Sequence, residues 1–385
     1  MVIIRNNLNM KRKTIKTMMS VQLLWLTLGL SWTLTAYLWL NNKNVKDMQQ
    51  GFYSPLPSKK PSKKPDNDQI TVQKDTFKSG FKYLANMSTN TESTLDISTI
   101  LLAPWKKNMS NLKELRSNIK KSVHTDLILT QKNVNISQPV TFLGSGRTMN
   151  ITEEFYRLLP KDSPEHKGPY KRCSIVGNGG ILNGSKCGKE IDKADFVIRC
   201  NAPPLNGFTK DAGSKTNLTT VNPSLIRLRF GSARKRIDRK KFTQKMDEYR
   251  NYIWFPTFTS SYTMSLRVNS LLNKRLEKVK FVHGDPKHFT ESQDFWVNSG
   301  VTVLNRISSG FYITTTALLF CDEVHLYGFW PFSTDIYNRS TSYHYFEQRN
   351  LTRLFHAFNQ EFNELARLHS EGILQLHVDD CYKHP

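Results

Sequence analysis

The apolar positions form one long run near the N-terminus and several short runs in the C-terminal two thirds of the chain. The long run, residues 21–40, contains 20 residues without a charge, which is the length that an α-helix needs to cross a bilayer core. The core of a signal peptide is shorter and ends in small residues, whereas this run ends in Tyr37-Leu38-Trp39-Leu40. We therefore expect an uncleaved transmembrane signal anchor.

The residues on either side of this run predict its orientation and a linker. Residues 1–20 contain five basic residues and no acidic one, and such a segment stays in the cytosol. Residues 41–95 are rich in Lys, Pro, Ser, Asn and Thr, a composition typical of a flexible stem. The pattern predicts a type II membrane protein with a cytoplasmic tail (1–20), an anchor (21–40), a stem (41–95) and a lumenal globular domain (96–385).

Sequons give a second indication of a lumenal domain, because Asn-x-Ser/Thr accepts N-linked glycans in secreted and lumenal proteins. Each sequon alone is a weak signal, but all of those in the chain lie on the proposed lumenal side. The candidate glycosylation sites are Asn86, Asn108, Asn135, Asn150, Asn183, Asn217, Asn338 and Asn350.

From residue 173 onwards, short apolar runs alternate with longer segments of helical character. The first run, 173–176, is followed by the small-residue turn Gly177-Asn178-Gly179-Gly180. Strands that alternate with helices predict an α/β domain with a mainly parallel sheet, and ligands of such sheets bind at the carboxyl ends of the strands. The further predicted strands are 196–198, 218–221, 252–255, 279–282 and 324–327.

Two later segments carry candidate binding chemistry. Ser308, Ser309 and Gly310 precede the apolar helical stretch 311–320, and Ser and Gly before a helix provide a cap and an N-terminus that can bind an anion. The strand 324–327 then runs into an aromatic loop that contains Trp330. This cluster could stack on a nucleobase or pack in the core, and both interpretations stay open.

The high net charge of the chain has little effect on the predicted function. The chain has 385 residues and a formal net charge of +23, which would favour nucleic-acid binding if it formed one surface. It is dispersed instead, and no finger, aromatic RNA-binding strand or basic zipper accompanies it. Residues 227–250 hold ten basic and three acidic residues. We interpret them as a solvated amphipathic helix, with a surface for a polyanion as the alternative.

Four ordered motifs resemble those of the animal sialyltransferase family. They are the large motif at 173–221, the small motif at 307–330, the third motif at 344–347, and the very-small motif formed by His356 and Glu361. A lone His-x4-Glu has little value, but four motifs in order are specific. Within the family, Ile181-Leu182 and the segments 190–193 and 327–332 resemble the α-2,8-sialyltransferase branch. The resemblance implies the Rossmann-like, GT-A-like sheet of sialyltransferases.

The resemblance also implies an inverting transfer of sialic acid from CMP-sialic acid to a sugar hydroxyl. For the α-2,8 branch, this is the 8-hydroxyl of a terminal sialic acid on a glycolipid or glycoprotein. His356 would be the general base, and His344 would assist departure of the phosphate. Glu361 is expected to be structural or to orient its neighbours. The residues that the resemblance assigns to the donor are Asn178, Asn201, Ser308, Ser309, Gly310 and Trp330.

Three alternatives to this function stay open. The first is α-2,3- or α-2,6-transfer to galactose or N-acetylgalactosamine. The second is an inactive relative that binds sialoglycans, although the intact His344, His356 and Asn178 argue against it. The third is processive polysialylation, for which a basic surface that includes Arg234 and Lys235 would be favourable.

Metal binding and nucleic-acid binding are not expected. The one Asp-x-Asp sequence, Asp66-Asn67-Asp68, lies in the predicted stem, where a solvated linker explains it. CMP leaves with a single phosphate and needs less charge compensation than a diphosphate. We therefore predict neither a metal nor another cofactor.

Five cysteines allow fifteen choices of two disulfides, so the sequence alone does not settle their pairing. The resemblance implies the bonds Cys173–Cys321 and Cys187–Cys381, with Cys200 free. An oxidising lumen would maintain them.

Overall fold

The computed structural model describes residues 99–347 and 356–382. The predicted tail, anchor and stem, and the sequons at Asn86 and Asn350, therefore lie outside the described residues. Within the described ranges, no helix combines the length and the apolar character needed to cross a membrane.

A parallel sheet organises the described part of the chain. The strands are β1 (Pro139–Thr141), β2 (Thr148–Asn150), β3 (Cys173–Val176), β4 (Phe196–Arg199), β5 (Leu218–Thr220), β6 (Asn251–Phe255), β7 (Val279–His283), β8 (Val324–Tyr327) and β9 (Gln375–His377). Strands β3 to β9 form one sheet in the order β7-β6-β5-β4-β3-β8-β9, and each neighbouring pair is parallel. Strands β1 and β2 form a separate antiparallel hairpin.

Helices connect the strands and pack around the sheet. They are α1 (Met109–Lys120), α2 (Glu153–Tyr156), α3 (Gly188–Asp192), α4 (Thr209–Ala212), α5 (Pro223–Arg229), α6 (Arg236–Met246), α7 (Tyr262–Asn273), α8 (Pro286–Asn298), α9 (Ser309–Phe320) and α10 (Phe358–Ser370). Short 3-10 turns occur at Pro164–Lys167, Gly180–Leu182 and Gly231–Ala233. The predicted α/β fold with a mainly parallel sheet is thus confirmed.

The structure differs from the sequence prediction in three elements. The six predicted strands are observed as β3 to β8, but β9 and the two strands of the β1–β2 hairpin were not predicted. Each of these three strands has only three residues. In β9 a single buried residue, Leu376, lies between half-buried Gln375 and His377, so no apolar run indicates this strand. The basic segment 227–250 is not one helix, because the end of α5, a turn at Gly231–Ala233 and α6 share it.

Helix α9 is buried on almost every side. Nine of its twelve residues are buried, and it contacts α1, α8, β3 and β8. Its buried hydroxyls are satisfied within the helix, since Thr314, Thr315 and Thr316 each donate to the carbonyl four residues earlier. Such bonding lets polar side chains lie in an apolar core at low cost.

The disulfide Cys173–Cys321 shows the direction of α9 across the sheet. Cys173 is the first residue of β3, and Cys321 follows the last residue of α9. The helix therefore ends at the amino end of β3, and its N-terminus lies toward the carboxyl ends of the strands. The structure also contains the bond Cys187–Cys381, and it leaves Cys200 free and buried.

The sequons of the described residues differ in exposure. Asn217 is half-buried at the start of β5, where its Oδ1 accepts the Val197 N–H at 2.9 Å. A glycan at this position would have to emerge from between β4 and β5, so Asn217 is the least suitable acceptor in this set. The exposed sequon residues are Asn108, Asn135, Asn150, Asn183 and Asn338.

Candidate active site

A cavity of about 230 Å³ opens at the carboxyl ends of the central strands. Its lining comes from the residues that follow β3, β4, β5 and β8, together with the first turns of α9 and α10. From β3 the chain moves through β4 to β7 on one side and then returns to β8 on the other. Ligands of open α/β sheets bind at such a reversal of strand order.

The residues predicted to bind the donor or to catalyse the reaction meet at this cavity. They come from four separate motifs, yet each of them contributes to the lining. These residues are Asn178, Asn201, Ser308, Ser309, Gly310, Trp330, His344 and His356. Lining residues that had no role assigned from the sequence include Asn222, Phe329, Tyr343 and Phe358.

The two loops that follow β3 and β8 are in backbone contact. The Gly179 N–H donates to the Gly328 carbonyl at 2.9 Å, and Gly328 has a φ of +73°. A Cβ atom on Gly177 or Gly179 would lie 2.6 or 2.7 Å from the same carbonyl oxygen. Glycine is therefore required here by close backbone approach, which explains the turn recognised in the sequence.

Asn178 and Asn201 have different environments. The Asn178 Nδ2 donates to the Cys200 carbonyl at 2.9 Å, which fixes the amide so that its buried Oδ1 is left without a partner among the described residues. Such an oxygen can accept a hydrogen bond from a ligand hydroxyl or amine. The Asn201 Oδ1 instead accepts the Asn222 N–H at 3.0 Å, so this side chain also positions the loop after β5.

The N-terminus of α9 faces the cavity. The Ser308 hydroxyl caps the helix by accepting a backbone N–H at 3.1 Å, and the Ser309 hydroxyl donates to the Asn222 Oδ1 at 3.1 Å. A Cβ on Gly310 would lie 2.9 Å from the Phe329 ring, so the Phe329 ring packs directly against the helix backbone at this position. The first turn of a 12-residue helix offers N–H groups and the positive end of its dipole to an anion.

The very-small motif closes around the residues that precede α9. His356 Nδ1 donates to the Arg306 carbonyl at 2.8 Å, and Glu361 accepts the Ser308 N–H at 2.7 Å. The His-x4-Glu spacing therefore matches two contacts with a short segment, 306–308. Burial lowers the pKa of His356 and raises that of Glu361 to about 7, although their hydrogen bonds oppose both shifts. His356 is thus neutral at pH 7, with its basic lone pair on Nε2.

His344 is held by a carboxylate and an arginine. Its Nδ1 lies 2.5 Å from Glu347 Oε1, and Arg229 Nη2 donates to the other oxygen, Oε2, at 2.7 Å. Partial burial alone would raise the pKa of Glu347, but the bonds from His344 and Arg229 outweigh it and lower the pKa. The carboxylate is therefore ionised and accepts a hydrogen bond from Nδ1, which fixes the orientation of the His344 ring.

Trp330 both lines the cavity and packs against the core. Its ring makes edge contacts with Phe332 and Phe362, with centroids 4.9 and 5.3 Å apart, and its Nε1 donates to the Thr334 carbonyl at 2.7 Å. The two interpretations of the aromatic loop are therefore compatible. Cys200 also lines the cavity, but burial raises its pKa to about 12, so it is a protonated thiol with no nucleophilic character.

A comparison with known protein families shows to which family the chain belongs. A model of glycosyltransferase family 29 (sialyltransferase) matches residues 120–373. The chain belongs to this sialyltransferase family.

Named relatives agree with the family assignment. The alpha-2,8-sialyltransferase 8F of Mus musculus is 35% identical over 294 residues, which are 74% of this chain and 73% of that protein. The alpha-2,8-sialyltransferase 8E of Homo sapiens is 34% identical over 290 residues, 74% and 76% of the two chains. The alpha-N-acetylneuraminide alpha-2,8-sialyltransferase of Xenopus laevis is 38% identical over 260 residues, 66% and 71%. The resemblance to the α-2,8 branch is thus confirmed.

A solved sialyltransferase also matches the chain. It is the crystal structure of a mammalian sialyltransferase in complex with Gal-beta-1-3GalNAc-ortho-nitrophenol, with a TM-score of 0.41 and 21% sequence identity. The match covers 82% of this chain and 100% of that chain.

The contact between the loops after β3 and β8 predicts the effect of a single methyl group in this sialyltransferase. We expect Gly179→Ala to lower sialyl transfer about 100-fold, because displacement of a site by about 1 Å has an effect of this size. Gly144→Ala is the control, since this exposed residue has a φ of +83° and open space at its Cβ position. The control should retain its activity and lose about 1 kcal/mol of stability. Undiminished transfer by Gly179→Ala would show that the contact does not shape the site.

Proposed function

We propose that this sialyltransferase moves sialic acid from CMP-sialic acid to the 8-hydroxyl of a terminal sialic acid on a glycolipid or glycoprotein. The observation that carries this proposal is the convergence of the predicted donor residues and both histidines on one cavity at the strand reversal. The α-2,8 linkage is supported by the names of the relatives, which include 8F and 8E.

The cavity provides complementary chemistry for an anionic nucleotide sugar. The N–H groups of Ser309 and Gly310 at the start of α9 would bind the phosphate or the carboxylate of the donor. Asn178 Oδ1 would accept from a ribose hydroxyl, and Trp330 would contact the cytidine. Oriented hydrogen-bond donors that stabilise developing charge in a site that excludes water contribute a large part of the rate enhancement in such reactions.

We assign His356 the role of general base. As the acceptor oxygen attacks the anomeric carbon, its O–H bond breaks and the proton passes to His356 Nε2. The bond from that carbon to the CMP oxygen breaks at the same time, and CMP leaves with the electron pair. His344, oriented by Glu347, would interact with the departing phosphate. A base of this kind contributes about 100- to 10,000-fold.

A single displacement inverts the anomeric centre, so CMP-β-sialic acid gives an α-sialoside. Retention would need a carboxylate nucleophile beside the same carbon. Glu361, the acidic residue of the lining, is 5% exposed and accepts the Ser308 N–H. We therefore assign it a positioning role for the N-terminus of α9.

The cellular setting follows from the N-terminal sequence pattern. The charge-free run 21–40 after a basic segment supports a single-pass type II protein of the Golgi membrane with a lumenal catalytic domain. The exposed sequons are the proposed glycosylation sites, and Asn217 is the one we expect to stay unmodified, because it is half-buried. The absence of a metal requirement stays a prediction.

The role of His356 predicts the acid limb of the pH profile. A protonated imidazole cannot accept a proton, so kcat should fall at a pH below the pKa of His356, which burial places below 6.5. His356→Ala should lower kcat about 100- to 10,000-fold and remove this limb. Glu361→Gln is the control, because it removes the nearby group with a pKa of about 7 and should keep the limb. Equal transfer by His356→Ala and the native chain would exclude His356 as the base.

The linkage itself is tested by product analysis. We expect radiolabel from CMP-sialic acid to enter a sialylated acceptor in an α-2,8 linkage, and the same acceptor without its sialic acid to remain unlabelled. Activity should persist in excess chelator. Labelling of the desialylated acceptor would indicate an α-2,3- or α-2,6-transferase, no labelling of either would indicate an inactive glycan-binding protein, and activity restored only by Mn²⁺ would contradict metal independence.

A further inference from the structure

The connection between β5 and β6 has an exposed surface that is both basic and apolar. Residues 227–241 contain eight basic residues and one acidic residue. Leu228 is 81% exposed, more than any other large hydrophobic residue of the described part, and Ile237 is 55% exposed. The exposed side chains of Leu228, Arg234, Lys235, Arg236 and Ile237 in this segment form what we call the 227–237 patch.

The packing of this connection does not use the apolar members of the patch. Ile226 of α5 and Phe242 and Met246 of α6 are fully buried in one core cluster, and they hold the two helices on the domain. Leu228 and Ile237 belong to the same helices but remain in solvent. A single exposed leucine is ordinary, whereas two exposed aliphatic side chains in the same segment as three exposed cations can contact both apolar and anionic groups.

The one acidic residue of the segment, Asp238, leaves 227–241 strongly cationic, because the segment contains eight basic residues. The Asp238 carboxylate lies against the backbone of Gly231. Arg239 donates to the carbonyls of Ala233 and Arg234, so its guanidinium is used to hold the turn. The side chains of Arg234, Lys235 and Arg236 are exposed and present their charge to the surroundings.

The 227–237 patch lies beside the active site. Asn222 lines the cavity and is the N-cap of α5, and α5 continues for seven residues to Arg229, about 10 Å at the rise of an α-helix. Arg229 then donates to Glu347, which holds His344 in the cavity. A surface that binds the patch would therefore lie within about the length of α5 from the cavity that contains His344.

We propose that the 227–237 patch docks the catalytic domain on a membrane surface that displays a sialylated glycolipid, which is then the acceptor. The inference rests on the proposed function for the sialylated acceptor. The cations attract the sialic acid carboxylates of the lipid headgroups, and Leu228 and Ile237 enter the boundary between headgroups and acyl chains. A free polyanionic glycan would use the cations but would gain nothing from the exposed aliphatic side chains, so the membrane fits the whole patch.

The test compares two acceptors with the same glycan. The full chain is assayed with a sialylated glycosphingolipid in phosphatidylcholine vesicles and with the soluble oligosaccharide released from that lipid. We expect the Leu228→Ser, Ile237→Ser double variant to lower transfer to the vesicle acceptor at least about tenfold, because the loss of even one fully buried aliphatic side chain has an effect of this size. Transfer to the soluble glycan should remain within about twofold. Val297→Ser is the matched control, because this residue of α8 is also exposed, at 48%.

The other outcomes overturn the proposal and identify the reason. An equal loss with both acceptors would assign Leu228 and Ile237 to the fold or the active site, and no loss with either would remove them from acceptor binding. If the Arg234→Gln, Lys235→Gln, Arg236→Gln variant loses transfer to soluble oligosialic acid while the aliphatic variant loses nothing, the patch binds a glycan chain. A native chain that labels neither sialylated acceptor would refute the proposed function together with the patch.

Discussion

The direction of the buried helix α9 is the constraint on which the active site depends. Its apolar surface and internally bonded threonines place it against the centre of the sheet, and Cys173–Cys321 ties its C-terminal end to the start of β3. The N-terminus must then lie at the carboxyl ends of the strands. The first turn of α9, with its N–H groups, the positive end of its dipole and the Ser308 cap, therefore lies where open α/β sheets bind ligands.

The remaining groups of the site are arranged around that N-terminus by hydrogen bonds from other parts of the chain. His356 and Glu361 contact the segment just before α9, while Ser309 contacts Asn222 after β5. Glu347 orients His344 and is itself held by Arg229. The proposed base His356, the proposed phosphate partner His344 and the N-terminus of α9 thus line one cavity, although they are far apart in sequence.

Much of this arrangement could be predicted from the sequence, and the exceptions have physical reasons. The central strands were predictable because apolar runs end at residues such as Gly177 and Asn178, and the motif residues were found because the family resemblance names them. The partner of Asn201, the shifted pKa of Glu361 and the ion pair of Arg229 were not predictable. Each depends on which loops meet at the ends of parallel strands, and no local pattern encodes that. The disulfide pairing came from the resemblance alone.

A crystal structure of this chain with CMP is the most direct measurement of the central claim. We predict that the phosphate lies about 3 Å from the backbone N–H groups of Ser309 and Gly310, and that Asn178 Oδ1 accepts a hydrogen bond from the ligand. CMP bound outside the cavity, or with its phosphate directed away from the N-terminus of α9, would contradict the account.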